Sequence, residues 1–279
     1  MLATRIKRTA NIIKEYSAFL STLVHKEEVI KVGSYNINYL EIGHGRNHVL
    51  CTQGALGSMW TDFSRQIKGF DRDKFTVVFW DQPGFGKSRP PDRDFSTKYT
   101  NCNDANVAYQ LMKELNIPRY SLLGWSNGSI TCMIHAANYP EKVDKLVIWG
   151  ANSFILPKEV NHYKGMKDVS LWSHKMKQPM IDLYGEELFA RYWAQWVDSM
   201  DELVKDTNGD VCSNILPKIT CPTFILYGEQ DPLVDRIHFS FLRSHIKDIK
   251  SHLYPEGKHN IHIRYHEDFN RRVQEFLLE

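Results

Sequence analysis

The sequence predicts an α/β fold: a mostly parallel central sheet flanked by helices, with a helical cap inserted between two strands. Three observations predict it. Short apolar runs of strand length alternate with amphipathic stretches of helix length from about residue 27 onward, the pattern of a parallel sheet covered on both faces. One long segment, about 151–219, breaks that alternation with helix-like, aromatic-rich sequence and no convincing strand. A Gly-x-Ser-x-Gly pentapeptide stands between a predicted strand and a predicted helix. The 279 residues divide into roughly two average domains, but α/β folds often reach this length as one. The reading is one catalytic domain over 27–279, interrupted by its own cap.

Taken in order, Glu28–Val32 and 35–41 read as strands joined by a turn at Gly33-Ser34. An apolar run at 48–52 ends in Gln53-Gly54-Ala55-Leu56-Gly57-Ser58. Phe75–Trp80 is a buried-type strand, followed by Asp81 and the turn Gln82-Pro83-Gly84-Phe85-Gly86. A helix is predicted over 104–115, where Val107, Leu111 and Leu115 recur every fourth residue. A strand at 120–123 and a helix at 129–137 follow. Further strands are predicted at 145–149, 223–227 and 251–254, and an amphipathic helix at 264–278 closes the chain. The cap segment carries Tyr163, Trp172, Tyr184, Phe189, Tyr192, Trp193 and Trp196, read as cap core rather than as a substrate cage.

Composition narrows the function. Hydrophobic residues are 42% and charged residues 24%, enough to bury a core without disulfide or metal staples. A net charge of +2 argues against a broad nucleic-acid-binding surface. Mean hydropathy is −0.42, and no apolar run reaches the ~18 residues of a membrane-spanning helix. The five cysteines, Cys51, Cys102, Cys132, Cys212 and Cys221, include no C-x-x-C pair. They read as scattered thiols of a reducing compartment, not as a zinc site or a disulfide framework. Residues 1–26 start basic and acid-poor, with Arg5, Lys7, Arg8 and Lys14 among apolar Leu2, Ile6, Ala10 and Ile13. That pattern resembles a mitochondrial presequence; a plain N-terminal helix on a cytoplasmic protein is the alternative. Lys14 and Glu15 interrupt any secretory apolar core. Oligomeric state leaves no signature in the sequence.

Gly124-Trp125-Ser126-Asn127-Gly128 follows a strand and opens a helix, so Ser126 is the candidate nucleophile. Its hydroxyl must stand clear of the sheet on a tight, strained turn, and side chains two residues to either side would collide. Serine needs a base, and the base needs an orienting carboxylate, in the chain order Ser, Asp or Glu, His. Both should lie in loops beyond the carboxyl ends of strands. After the strand at 223–227 come Glu229 and Asp231. Asp231 is favoured because Pro232 restricts its backbone and its shorter side chain is easier to hold. After the strand at 251–254 comes His259, with Gly257 supplying turn freedom. His262 and His266, spaced like metal ligands, lack an evident third ligand and read as surface or helix-start residues. Backbone amides of Asn127 and of Ala55 or Leu56 are placed to form an oxyanion hole, with Leu56 taken as the partner. The Gly86-Lys87-Ser88 string lacks a phosphate loop's first glycine, the residue there being Asp81, and Arg89 spoils a dinucleotide fingerprint.

Together, Ser126 in its Gly-Trp-Ser-x-Gly, Asp81-x-Pro-Gly-x-Gly-x-Ser88, Gly228-Glu-x-Asp231-Pro and Gly257-Lys-His259-Asn resemble the α/β-hydrolase superfamily. Longer strings, Ser88-Arg-Pro-Pro-Asp-Arg-Asp-Phe95, Val147-Ile-Trp-Gly-Ala-Asn152 and Pro255-Glu-Gly-Lys-His-Asn260, resemble its biphenyl hydrolase-like (valacyclovir hydrolase) family across roughly the whole folded body. The resemblance implies a serine hydrolase of α-amino-acid esters and of homocysteine thiolactone. It also implies a mitochondrial location, a triad on Ser126, Asp231 and His259, and no metal or cofactor. At one position the chain departs from that pattern. The family places an aspartate after the nucleophile to hold the substrate ammonium; here the residue is Asn127. An asparagine still accepts a hydrogen bond but gives up the charge, and charge-assisted bonds are roughly twice as strong. The expected substrate is therefore a small-molecule ester. A carboxylesterase for uncharged acyl groups is the alternative, and a non-catalytic binding protein on the same fold is the remaining one.

Overall fold

A computed structural model describes residues 26–96 and 100–279; residues 1–25 of the predicted presequence lie outside that description. Eight strands form one sheet: β1 (Glu28–Val32), β2 (Tyr35–Gly43), β3 (Asn47–Thr52), β4 (Phe75–Trp80), β5 (Tyr120–Trp125), β6 (Val143–Trp149), β7 (Thr223–Gly228) and β8 (Ile249–Tyr254). Their order across the sheet is β1-β2-β4-β3-β5-β6-β7-β8. Strands β1 and β2 pair antiparallel, as do β2 and β4. Every pairing from β4 to β8 is parallel, so the expected mostly parallel sheet is what forms. The central strands are predominantly apolar; β4 and β7 are buried at every position, as parallel strands covered on both faces must be.

Helices cover both faces. On one side α2 (Thr100–Glu114), α3 (Asn127–Asn138) and α7 (Arg236–His245) build a core around Leu111, Met133, Leu146 and Ile148. On the other, α1 (Met59–Gly69), α8 (Ile261–Arg264) and α9 (His266–Leu278) bury Phe63, Phe79, Trp149 and Phe269. Between β6 and β7 lie α4 (Pro157–Gly165), α5 (His174–Tyr184) and α6 (Glu186–Thr207). These pack around Tyr163, Phe189, Tyr192 and Trp193, and onto Leu56 and Phe85 below. The single bridge Phe154↔Asp210 is the nearest this segment comes to a strand among the described residues.

Two helices were not expected from the sequence. In α1 the apolar stripe Met59, Phe63, Ile67 is narrow, because Asp62 and Gln66 are buried beside it and dilute the hydrophobic pattern. Ser58 caps it by accepting the Thr61 N–H at 3.2 Å, without the usual Glu or Gln partner. In α7, buried His238 takes a core position. The expected helix over 264–278 forms as α9, and the short α8 precedes it, separated from it at Tyr265 where the backbone turns to φ −112, ψ 36. Predicted strands and helices otherwise differ from the observed ones only at their ends.

The register aligns the carboxyl ends of the strands. Thr52 pairs with Gly124, Trp125 with Trp149, and Gly228 with Tyr254. The loops beginning at residues 53, 81, 126, 150, 229 and 255 therefore emerge along one edge, where ligands collect in such sheets.

Candidate active site

Ser126 sits between β5 and α3 at φ 53, ψ −122, a conformation that costs a non-glycine residue on the order of 1–2 kcal/mol. The neighbouring glycines make it possible. A Cβ on Gly124 would lie 2.6 Å from the Gly128 carbonyl oxygen, and one on Gly128 would lie 2.2 Å from the Thr52 oxygen. The elbow is tied down by its own backbone: the Ser126 N–H donates to the Trp149 carbonyl at 3.0 Å, and Ser129 Oγ donates to the Ser126 carbonyl at 2.5 Å.

The predicted carboxylate and histidine meet. Asp231 Oδ2 lies 2.7 Å from His259 Nδ1, with side-chain exposures of 1% and 12%. Asp231 is fixed from behind, its Oδ1 accepting the N–H groups of Leu233 at 2.8 Å and Val234 at 3.1 Å. The competing acid, Glu229, faces outward and pairs with Arg236 at 3.0 Å. His259 is held at its backbone by Trp125 Nε1, which donates to its carbonyl at 3.0 Å. Gly150, at φ 55, makes room for the ring: a Cβ there would lie 2.8 Å from His259 Cε1.

Ser126, Asn127 and His259 line one cavity of about 50 Å3, roofed by Tyr163, Trp193 and Trp196. A larger space of about 320 Å3 adjoins it across Asn127, Ile130, Ile155 and Met200 and extends toward Glu202 and Asp206. Asn127 is the first residue of α3, so its N–H has no acceptor within the helix. Its Oδ1 accepts from Asn101 Nδ2 at 3.3 Å. On the facing loop Leu56 is buried and also left-handed, at φ 60. Its carbonyl accepts the Tyr184 hydroxyl proton at 2.7 Å, and the same hydroxyl accepts the Gly86 N–H at 3.0 Å. Beneath, Gly54 passes so close to the elbow that a Cβ would lie 3.1 Å from the Trp125 ring.

One expectation is corrected. His262 is not a surface residue: it is fully buried and both ring nitrogens are used. Trp149 Nε1 donates to its Nδ1 at 2.9 Å, and its Nε2 donates to the Asp62 carbonyl at 3.0 Å. Burial holds it neutral, with its pKa lowered to about 3. A ring with both nitrogens engaged has no lone pair for a metal. Asn101 and Asp62 carry no signal in the sequence, and Tyr184 reads there only as cap core. Tyr184 and Asn101 meet the site's loops across 128 and 26 positions, and Asp62 reaches Gly54 across eight; no motif spacing marks such contacts.

The elbow, the aligned loops and the cap define an α/β hydrolase, and the chain belongs to the serine hydrolases of that fold. A family profile described as the alpha/beta hydrolase fold matches residues 47–173. More particularly, the chain is 44% identical over 248 residues to "Serine hydrolase BPHL" of Mus musculus, covering 89% of this chain and 85% of the relative. The Homo sapiens protein of the same name matches to the same extent. Among solved structures, a putative lipase from Acinetobacter baumannii AYE superposes with TM-score 0.78 at 19% identity, covering 92% of each chain. A meta-cleavage product hydrolase from Pseudomonas fluorescens IP01 gives 0.74 at 19% identity, covering 89% of this chain and 96% of that one; at such identities the likeness is one of fold.

Proposed function

We propose that this serine hydrolase cleaves carboxylic esters, α-amino-acid esters foremost, through Ser126, His259 and Asp231 and an acyl-enzyme. The observation that carries the reading is the 2.7 Å bond between Asp231 Oδ2 and His259 Nδ1, made at the cavity that Ser126 lines. An ionised Asp231 keeps the proton on Nδ1 and leaves Nε2 as an acceptor. In this mechanism His259 Nε2 takes the Ser126 proton as Oγ attacks the ester carbonyl. The oxyanion is held by the Asn127 and Leu56 N–H groups, backed by the N-terminus of α3. His259 then protonates the leaving alcohol, and water repeats the sequence on the acyl-enzyme. No step calls for a metal or cofactor.

A second reading, a carboxylesterase for uncharged acyl groups, is favoured by the Asn101–Asn127 contact. It engages the oxygen that would otherwise face a substrate ammonium. The two are separated by kcat/KM for an aminoacyl ester against its des-amino analogue. A preference for the amine supports the first reading, and equal values reject it; Asn127→Asp should raise the preference by about 10-fold. Ser126→Ala should lower turnover by at least about 10⁴-fold with the fold intact. Near-normal turnover would sink the assignment of Ser126 as nucleophile, and no labelling of Ser126 by a fluorophosphonate would revive the non-catalytic binding protein. A mitochondrial address is likewise a proposal, supported by the basic, acid-poor pattern of residues 1–26 and by the family resemblance; a reporter fused to that segment and left in the cytosol would reject it.

A further inference from the structure

Asp62 is a carboxyl that the proposed mechanism does not use, buried at 4% exposure on the first turn of α1. No cation compensates it at contact distance among the described residues. Its Oδ2 accepts the Gly54 N–H at 3.0 Å, and its Oδ1 accepts the Thr61 hydroxyl at 2.8 Å. Gly54 opens the loop that carries Leu56, the proposed oxyanion donor. Gly57, at the far end of the same loop, is packed on the same carboxyl: a Cβ there would lie 2.1 Å from Asp62 Oδ2. One side chain therefore touches both ends of a four-residue loop, across the left-handed Leu56.

The backbone of Asp62 is tied to the opposite side of the site. Its carbonyl accepts His262 Nε2–H at 3.0 Å, and His262 follows His259 by three residues. Trp149, at the end of β6, fixes the His262 ring from its other nitrogen. A continuous buried chain thus runs from the β6 terminus through His262 and Asp62 to the Gly54 amide.

From this juxtaposition we infer that Asp62 is a positioning residue: it sets the Gly54–Gly57 loop so that the Leu56 N–H meets the oxyanion, in register with the histidine loop. The inference rests on the oxyanion role assigned to Leu56 above. An uncompensated buried carboxyl is costly where only packing is needed. Burial pushes this one up to about 7, with the neighbouring Asp81 adding to the rise while the Thr61 and Gly54 hydrogen bonds and His259 oppose it. What the loop requires of Asp62 is an acceptor oxygen at Gly54, which an asparagine also supplies.

The test uses the full chain, with kcat expressed per active site titrated to completion with a fluorophosphonate. Asp62→Ala should lower kcat by about 10- to 100-fold with KM within about 3-fold, a fraction of the loss seen when an oxyanion donor is removed outright. Affinity for a trifluoromethyl ketone analogue of the substrate should fall in proportion. Asp62→Asn should restore kcat to within about 3-fold of the parent, because its amide oxygen still accepts from Gly54. Gly57→Ala, which crowds the carboxyl from the other end, should lower kcat about 10-fold on its own and add nothing to Asp62→Ala. If Asp62→Ala does not fold, the Asn variant and Gly57→Ala still decide the question. Asp62→Ala within about 2-fold of the parent, an Asn variant as impaired as Ala, or a silent Gly57→Ala overturns the inference. If Ser126→Ala retains turnover, the proposed function has failed first; if it abolishes turnover while the Asp62 and Gly57 variants are silent, only the positioning role is lost.

Discussion

The floor of the site and its cap are built by opposite means. The floor is backbone packed on backbone. Glycines 124 and 128 bring the Ser126 elbow to within contact of Thr52 and Ser129, and any added Cβ would overlap neighbouring atoms. The cap is side chain on backbone. Tyr184 reaches Leu56 and Gly86, Tyr192 donates to the Gly84 carbonyl at 3.2 Å and accepts the Arg93 N–H at 2.8 Å, and Tyr163 donates to the Leu233 carbonyl at 2.9 Å. Three tyrosine hydroxyls of buried side chains peg the inserted helices to the loops at the strand ends, Tyr184 and Tyr192 sharing the turn after β4. The difference separates two kinds of precision. The floor fixes the reacting atoms by exclusion of volume, and the cap fixes the loops around them by hydrogen bonds.

Asp231→Asn tests the floor and carries the largest expected effect. In the proposed mechanism it removes the charge that stabilises His259 as it takes up a proton, while keeping the turn made with Leu233 and Val234. Turnover should fall about 10³- to 10⁴-fold, with a change in Tm of less than about 5 °C. A drop under 10-fold would mean that the Asp231–His259 bond is architectural. Tyr184→Phe tests the cap. Loss of the hydroxyl leaves the Leu56 carbonyl and Gly86 N–H without a partner, at a cost of about 1–3 kcal/mol. Both Tm and kcat should decline, kcat by about 10-fold through the released Leu56. A lower Tm with unchanged kcat would make the cap a passive cover and blur the contrast drawn here.

The smallest effect belongs to a residue that serves neither region. His135, buried in α3 against Tyr120 at 2.8 Å, is lowered by desolvation to about 3. The unfolded chain takes up this proton below about pH 6.5, and the folded chain does not. The stability His135 contributes is therefore complete above that pH and is lost as pH falls toward 3. Replacing it by asparagine should flatten the loss of Tm between pH 7 and 5 by a few degrees. An unchanged slope would show that His135 titrates normally.

The same contrast explains how much was legible beforehand. Requirements of the floor are local in sequence: a glycine two residues from a serine, an aspartate before a proline, a histidine just past a strand. They leave spaced motifs, and the sequence alone marks Ser126, Asp231 and His259 as candidates. The structure adds to that choice the Asp231–His259 contact and the shared cavity. The pegs of the cap join residues as distant as Leu56 and Tyr184, 128 positions apart, and such a pairing has no period to detect. Asp62 was hidden for a related reason. Helix α1 buries polar side chains on its inner face, so the apolar stripe that would have announced the helix is thinned by the residues that hold the loop above it. His262 was misjudged because its spacing to His266 suggested a surface helix, whereas the chain breaks at Tyr265 and turns the ring inward.

The Tyr184 hydroxyl also bears on how this chain can fail. One oxygen closes a junction between the cap, the oxyanion loop and the turn after β4. A molecule whose cap has come loose therefore loses its grip on Leu56 at the same moment as it uncovers Ser126. On the oxyanion role proposed for Leu56, loosening the cap disarms the site in the act of opening it.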